Sequence, residues 1–73
     1  MKIKAKELIN DCDELKEEYL GWYLDGVFKM EGVRSFGFNS MDTVGIMVEC
    51  PDGRGDTLYR YDTDYVEISK EKK

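Results

Sequence analysis

The hydrophobic period of this chain changes at Gly21, and no other feature constrains its fold as much. Up to that point Leu8, Cys12, Leu15 and Tyr19 recur at spacings of four and three, a stripe that Trp22 extends and Ala5, Ile9 and Leu20 widen. Lys6, Asp11, Asp13, Glu17 and Glu18 fill the other faces. This spacing predicts an amphipathic helix over about 5–20, lying on a core and ending at Gly21. Ile3 and Ala5 alternate with lysines, so a short strand over Lys2–Ala5 is expected before it.

After Gly21 the period is two. Trp22, Leu24, Gly26, Phe28 and Met30 share one parity, and Phe36 and Phe38 alternate in the same way. A three-residue loop Met30-Glu31-Gly32 would pair Leu24 with Phe38 and Gly26 with Phe36, and would gather the large aromatics on one side. Further on, Val44, Ile46, Val48 and Cys50 face one way. Pro51-Asp52-Gly53-Arg54-Gly55-Asp56 is turn chemistry throughout. Thr57 set opposite Cys50 brings Tyr59 to Val48 and Tyr61 to Ile46. Asp62-Thr63-Asp64 breaks the strand, and Val66 and Ile68 point inward from a last one. The strands are expected at about 22–30, 33–39, 44–50, 57–62 and 65–69.

The expected fold is therefore α+β: one N-terminal helix packed on a small curled antiparallel sheet of about five strands. At 73 residues the chain has room for a single small domain and one modest core. The alternative is a small barrel. A hairpin, then Asp62-Thr63-Asp64, then Tyr65-Val66-Glu67-Ile68 resembles the end of many SH3-like barrels, over roughly a third of the chain. An N-terminal helical stripe departs from that pattern.

The net charge is −5. It concentrates in residues 42–67, which carry seven carboxylates against two arginines. Such a surface repels phosphate backbones, so no direct nucleic-acid binding is expected. It attracts basic surfaces, including those that bind nucleic acid on other proteins. The opening residues lack the apolar stretch of a signal peptide, and no run approaches the ~20 apolar residues of a membrane span. A reduced, cytoplasmic protein is the expectation, with Cys12 and Cys50 as small buried thiols. Lys70–Lys73 read as a frayed tail.

The motifs carry little chemistry. Arg54-Gly55-Asp56 spells an adhesion tripeptide, but both flanking glycines are explained by the turn. Asp62 and Asp64, even with Glu67, fall short of the six or more oxygens of a calcium loop. The chain has no histidine and two distant cysteines, so no zinc set and no Ser–His or Cys–His pair is recognisable. Gly53 and Gly55 lie in a hairpin rather than at the entry to a helix, which removes a phosphate cradle. No enzyme activity, metal or cofactor is expected.

Nine aromatic side chains exceed what one small interior takes. Trp22, Phe28, Phe36, Phe38 and Tyr59 are assigned to the core. Some of Tyr19, Tyr23, Tyr61 and Tyr65 are left for the surface with Met41 and Met47. Exposed tyrosine and methionine beside carboxylates is a mixture found at protein interfaces. The expected function is thus a non-enzymatic, acidic protein-interaction module. In size, acidity and its opening MKIKAKELI the chain resembles small accessory proteins of phages and prophages of low-GC bacteria. That resemblance implies an inhibitor that occupies a basic or nucleic-acid-binding surface of a host protein. Tyr61 and Tyr65 are then the anchors, and Glu49, Asp52, Asp56, Asp62, Asp64 and Glu67 the phosphate-mimicking carboxylates. The other reading is a homo-oligomer with a small-ligand site between subunits.

Overall fold

The computed structural model describes residues 1–38 and 41–73, and of Phe38 and Met41 the backbone only. The places expected for the Phe38 and Met41 side chains, and for Asn39 at a strand end, lie outside the described residues. Among the described residues six strands form one antiparallel sheet: β1 (Lys2–Lys4), β2 (Tyr23–Leu24), β3 (Phe28–Phe38), β4 (Met41–Glu49), β5 (Gly55–Tyr61) and β6 (Tyr65–Ser69). Their order across the sheet is β1-β6-β2-β3-β4-β5.

The expected helix is absent. Residues 5–20 instead form two short 3-10 turns, Ala5–Leu8 and Glu17–Tyr19, separated by a loop. The reason lies in Asn10, Asp11 and Asp13, whose short polar side chains compete with helical hydrogen bonds. The Asn10 side-chain oxygen accepts from the backbone N–H of Cys12 at 2.8 Å and of Glu14 at 3.1 Å. Asp13 sits at a φ of 58°, and the Asn10 N–H donates to the Glu14 carbonyl at 2.8 Å. The chain therefore doubles back, bridging Ile9 to Leu15 and bonding the Lys16 N–H to the Leu8 carbonyl at 2.9 Å. Leu8 and Leu15 both reach the core by this reversal, so the helix-like spacing reflects a loop folded onto itself. Cys12 lies exposed at the tip of that loop rather than in an apolar stripe.

The first hairpin also differs from expectation. Its turn is Asp25-Gly26, with φ of 55° and 70°, and the Val27 N–H donates to the Leu24 carbonyl at 3.1 Å. Two successive positive φ angles are what tight hairpin turns require, and Asp-Gly supplies them at low cost. Leu24 consequently pairs with Phe28 on one side and Ile68 on the other, not with Phe38. Met30-Glu31-Gly32 is not a loop. Met30 pairs with Val48 and Gly32 with Met47, which leaves Glu31 as a bulge in one continuous eleven-residue strand.

The third correction is the register of β5. Leu58, not Tyr61, pairs with Ile46; Tyr59 pairs with Gly45 and Tyr61 with Thr43. The shift is odd in number, so it turns both tyrosines outward. The C-terminal residues fold back, with the Lys73 N–H on the Gly26 carbonyl at 2.9 Å, rather than fraying.

The sheet order demands curvature. β5 and β6 are four positions apart, about 19 Å in a flat sheet. Yet only Asp62-Thr63-Asp64 joins them, in a turn closed by the Asp64 N–H on the Tyr61 carbonyl at 3.0 Å. The sheet rolls so that the end of β5 meets the β1–β6 side. There the Asp62 carbonyl accepts from Lys6 at 3.0 Å and the Asp64 carbonyl from Ala5 at 2.8 Å. This mostly antiparallel roll replaces the helix-on-sheet arrangement and is compatible with the small-barrel alternative. Inside it Ala5, Leu8, Leu24, Met30, Val33, Val44, Ile46, Val48, Val66 and Ile68 are buried, with Leu15 closing the N-terminal side. Tyr19 and Trp22 pack edge to face beside them, ring centres 5.3 Å apart.

Candidate interaction surface

The outer face of β3, β4 and β5 follows from the register. Its rows are Gly32–Met47–Thr57, Arg34–Gly45–Tyr59 and Phe36–Thr43–Tyr61. The Phe36 and Tyr59 rings lean toward each other across the middle row, centres 6.2 Å apart and tilted by 52°. Gly45 makes that approach possible. A Cβ there would lie 2.9 Å from Phe36 Cε2, 3.2 Å from Thr57 Cγ2 and 3.4 Å from Tyr59 Cε1. Gly45 is buried beneath the rings although it faces away from the core.

The rings themselves stay exposed: Phe36 by 41%, Tyr59 by 59% and Tyr61 by 49%. Tyr59 stands as a ridge between two shallow hollows. One is bounded by Arg34, Phe36, Gly45, Met47 and Thr57, the other by Thr43, Arg60, Tyr61 and Asp64. Exposed aromatic clusters of this kind mark protein-binding surfaces more often than scattered apolar residues do.

The free edge of β5 is closed off. Backbone groups of 57, 59 and 61 point away from β4. The Thr57 N–H donates to the Asp56 side chain at 2.8 Å, and the Tyr61 N–H to Asp64 at 3.2 Å. The Tyr59 carbonyl accepts from Arg60 Nη1 at 2.8 Å. Side chains thus occupy three of the groups that an incoming strand would use, which disfavours sheet extension at this edge. The face, and not the edge, is what β5 presents.

The structure separates the residues singled out from the sequence. Tyr61, Asp62, Asp64 and Tyr65 gather at the β5–β6 turn, where Tyr65 also lies under the Lys4 ammonium at 6.0 Å. Glu49, Asp52 and Asp56 sit at the other end of the β4–β5 hairpin, about 17 Å away along the strand. Asp52 serves that hairpin, accepting from the Arg54 N–H at 3.0 Å and pairing with the Arg54 guanidinium at 3.5 Å. The tripeptide Arg54-Gly55-Asp56 is accordingly part of a turn, closed by the Cys50 N–H on the Arg54 carbonyl at 2.7 Å. Glu67 is engaged with the Met1 ammonium at 3.0 Å. That ammonium holds the Glu67 carboxyl below the usual range, and Lys73 and Lys2 add to the effect.

The chain matches no protein-family model, no curated protein and no solved structure. Its surface must therefore be read from its own residues.

Phe36, Tyr59, Arg34 and Gly45 are the surface residues that the sequence reading missed. Their signal was Leu58. It is the apolar member of the 56-58-60 parity, and placing it inward turns Tyr59 and Tyr61 out. Cys50 is half-buried beside the hairpin tip, and its thiol is pushed up by burial first and by Asp56 and Asp52 next, against the lowering effect of Arg54. Among the described residues no three His, Cys, Asp or Glu side chains cluster as a metal site, and no helix is long and apolar enough to cross a membrane.

Proposed function

We propose that this chain is a non-enzymatic protein-interaction module that occupies a basic surface of a larger protein, in the manner of small phage-type inhibitors. The observation that carries the reading is the exposed Phe36–Tyr59–Tyr61 cluster over Gly45. Large, stiff aromatic rings supply contact area at little entropic cost, which is why they dominate binding energy at interfaces. Asp62 and Asp64 follow Tyr61 directly, so apolar anchors and carboxylates share one end of the face. With a net charge of −5, long-range attraction would favour a basic partner, including one whose surface otherwise holds nucleic acid. The thiols of Cys12 and Cys50 are free, which suits a reducing compartment, and we place the interaction in the cytoplasm.

The test is affinity capture from nuclease-treated bacterial lysate, followed by titration of the purified partner. A single stoichiometric protein should be retained. Phe36→Ala with Tyr59→Ala should weaken it about a hundredfold or more, since each buried aromatic anchor is worth ~2 kcal/mol and every ~1.4 kcal/mol is a factor of ten. Asp62→Lys with Asp64→Lys should slow association and reduce the salt dependence. If neither pair of substitutions alters affinity while the circular dichroism stays native, the face is not the binding surface.

A further inference from the structure

A second groove lies beside the aromatic face, on the side of the N-terminal loop. Its apolar lining is Leu15, Leu20, Val33 and Met47, and its volume is about 350 Å³. That is near the lower end of the ~300–1,000 Å³ of small-molecule clefts, so it suits one or two side chains of a partner better than a whole ligand. Leu20 is 59% exposed here, which is a cost for an apolar side chain that nothing among the described residues covers. The bulge at Glu31 contributes in two ways. It brings the Glu31 carboxylate to the rim, and it sets Gly32 opposite Met47, where a Cβ would lie 2.6 Å from Met47 Cε. The Met47 side chain thus spreads over a glycine and borders this groove, the Phe36–Tyr59 hollow, and a third hollow lined by Glu31 and Asp56. An unbranched, polarisable side chain at such a junction adapts to different contacts.

The ionisable groups lining this groove are all carboxylates: Glu14, Glu17 and Glu31. Among the described residues none of the three forms an ion pair. We infer that the groove receives a segment of another protein in which an arginine or lysine adjoins a large apolar side chain. The apolar part would lie on Leu15, Leu20 and Met47, and the cation among the three glutamates. A second copy of this chain is the poorer occupant, because two copies at −5 each repel and the Lys73 end is already folded onto Gly26. This inference rests on the reading of the chain as an interaction module, and it names the chemistry of the partner.

The probe is a fluorescein-labelled peptide of sequence Gly-Arg-Leu-Leu-Arg-Leu-Gly, with a counterpart in which both arginines are glutamate. Binding is followed by polarisation and by methyl NMR of the labelled full-length chain. The arginine peptide should bind and move the Met47 and Leu20 methyl signals, and Glu17→Lys with Glu31→Lys should weaken it about tenfold or more. Both glutamates are exposed, so the variant should keep its native spectrum. Equal binding of the two peptides overturns the inference, as does a doubled mass by light scattering without peptide. Loss of the lysate partner on Phe36→Ala with Tyr59→Ala, but not on Glu17→Lys with Glu31→Lys, would overturn the groove and leave the proposed function standing. Insensitivity to both pairs would overturn both.

Discussion

Asn10→Ala distinguishes a helix from a doubled-back loop by the sign of its effect. In a helix spanning 5–20, Ala is the best possible replacement, and the change would stabilise the chain by several tenths of a kcal/mol. In the loop, it removes two hydrogen bonds, to the N–H groups of Cys12 and Glu14. Both are solvent-accessible, so each is worth about 0.5 kcal/mol, near the bottom of the usual range. The loss is then about 1 kcal/mol. A domain of this size melts with an entropy of about 0.15 kcal/mol per K, so Tm should fall by about 4–8 °C. Asp13→Gly provides the mirror test. Asp13 occupies the left-handed region at a φ of 58°. Glycine should there be neutral or gain up to about 1 kcal/mol, whereas in a helix, where aspartate is already a poor former, it would cost about 0.3–0.5 kcal/mol. The assay is thermal and urea denaturation followed by circular dichroism. A raised Tm for Asn10→Ala together with a lowered one for Asp13→Gly would refute the loop.

Other outcomes are expected. Ile46→Ala leaves a cavity between Val33 and Leu58 and should cost about 2–5 kcal/mol, comparable with the whole stability of so small a core, so its urea midpoint should collapse. Because the Glu67 carboxyl is held low in the folded chain, its contribution is complete above the ordinary glutamate range and is lost as pH falls through the depressed value; Glu67→Gln should flatten the acid limb of stability against pH, and an unchanged limb would count against the Met1 contact. In the native chain Ellman's reagent should modify the exposed Cys12 quickly and Cys50 slowly, and a single fast phase of two thiols would place Cys50 elsewhere.

Where the sheet is covered on one side by its own core, the sequence was readable. Val44, Ile46 and Val48 share one parity because that face of β4 packs on the core, and Val66 and Ile68 do the same on β6. The N-terminal third was misread because two different geometries bring Ala5, Leu8 and Leu15 inward, and spacing alone cannot tell them apart. The deciding residues were Asn10 and Asp13, whose preference for turns outweighs the periodicity around them. Asp25-Gly26 carried a strong hairpin signal that the aromatic alternation obscured. β5 failed for a different reason. It is an edge strand, and of its inward parity only Leu58 reaches the core, so Thr57, Tyr59 and Tyr61 formed the more apolar set and were turned the wrong way. The same shift carries Tyr59, expected in the interior, to the outer face with Tyr61, where Phe36 also lies exposed.

The position of β6 between β1 and β2 governs how the chain can assemble as it is made. Lys4 meets Tyr65 across about sixty residues of sequence, and translation at ~5–20 residues per second spends several seconds over that interval. β1 has no partner during that time, and Ile3 waits uncovered. β2 has only the tight pairing to β3. The nascent chain can form the β3–β4–β5 meander early, since its pairings are local, but the remaining half of the sheet closes only when its last strand is free of the ribosome. A protease that trimmed β6 would remove two ladders in one cut and leave the aromatic face on a meander with half its core open.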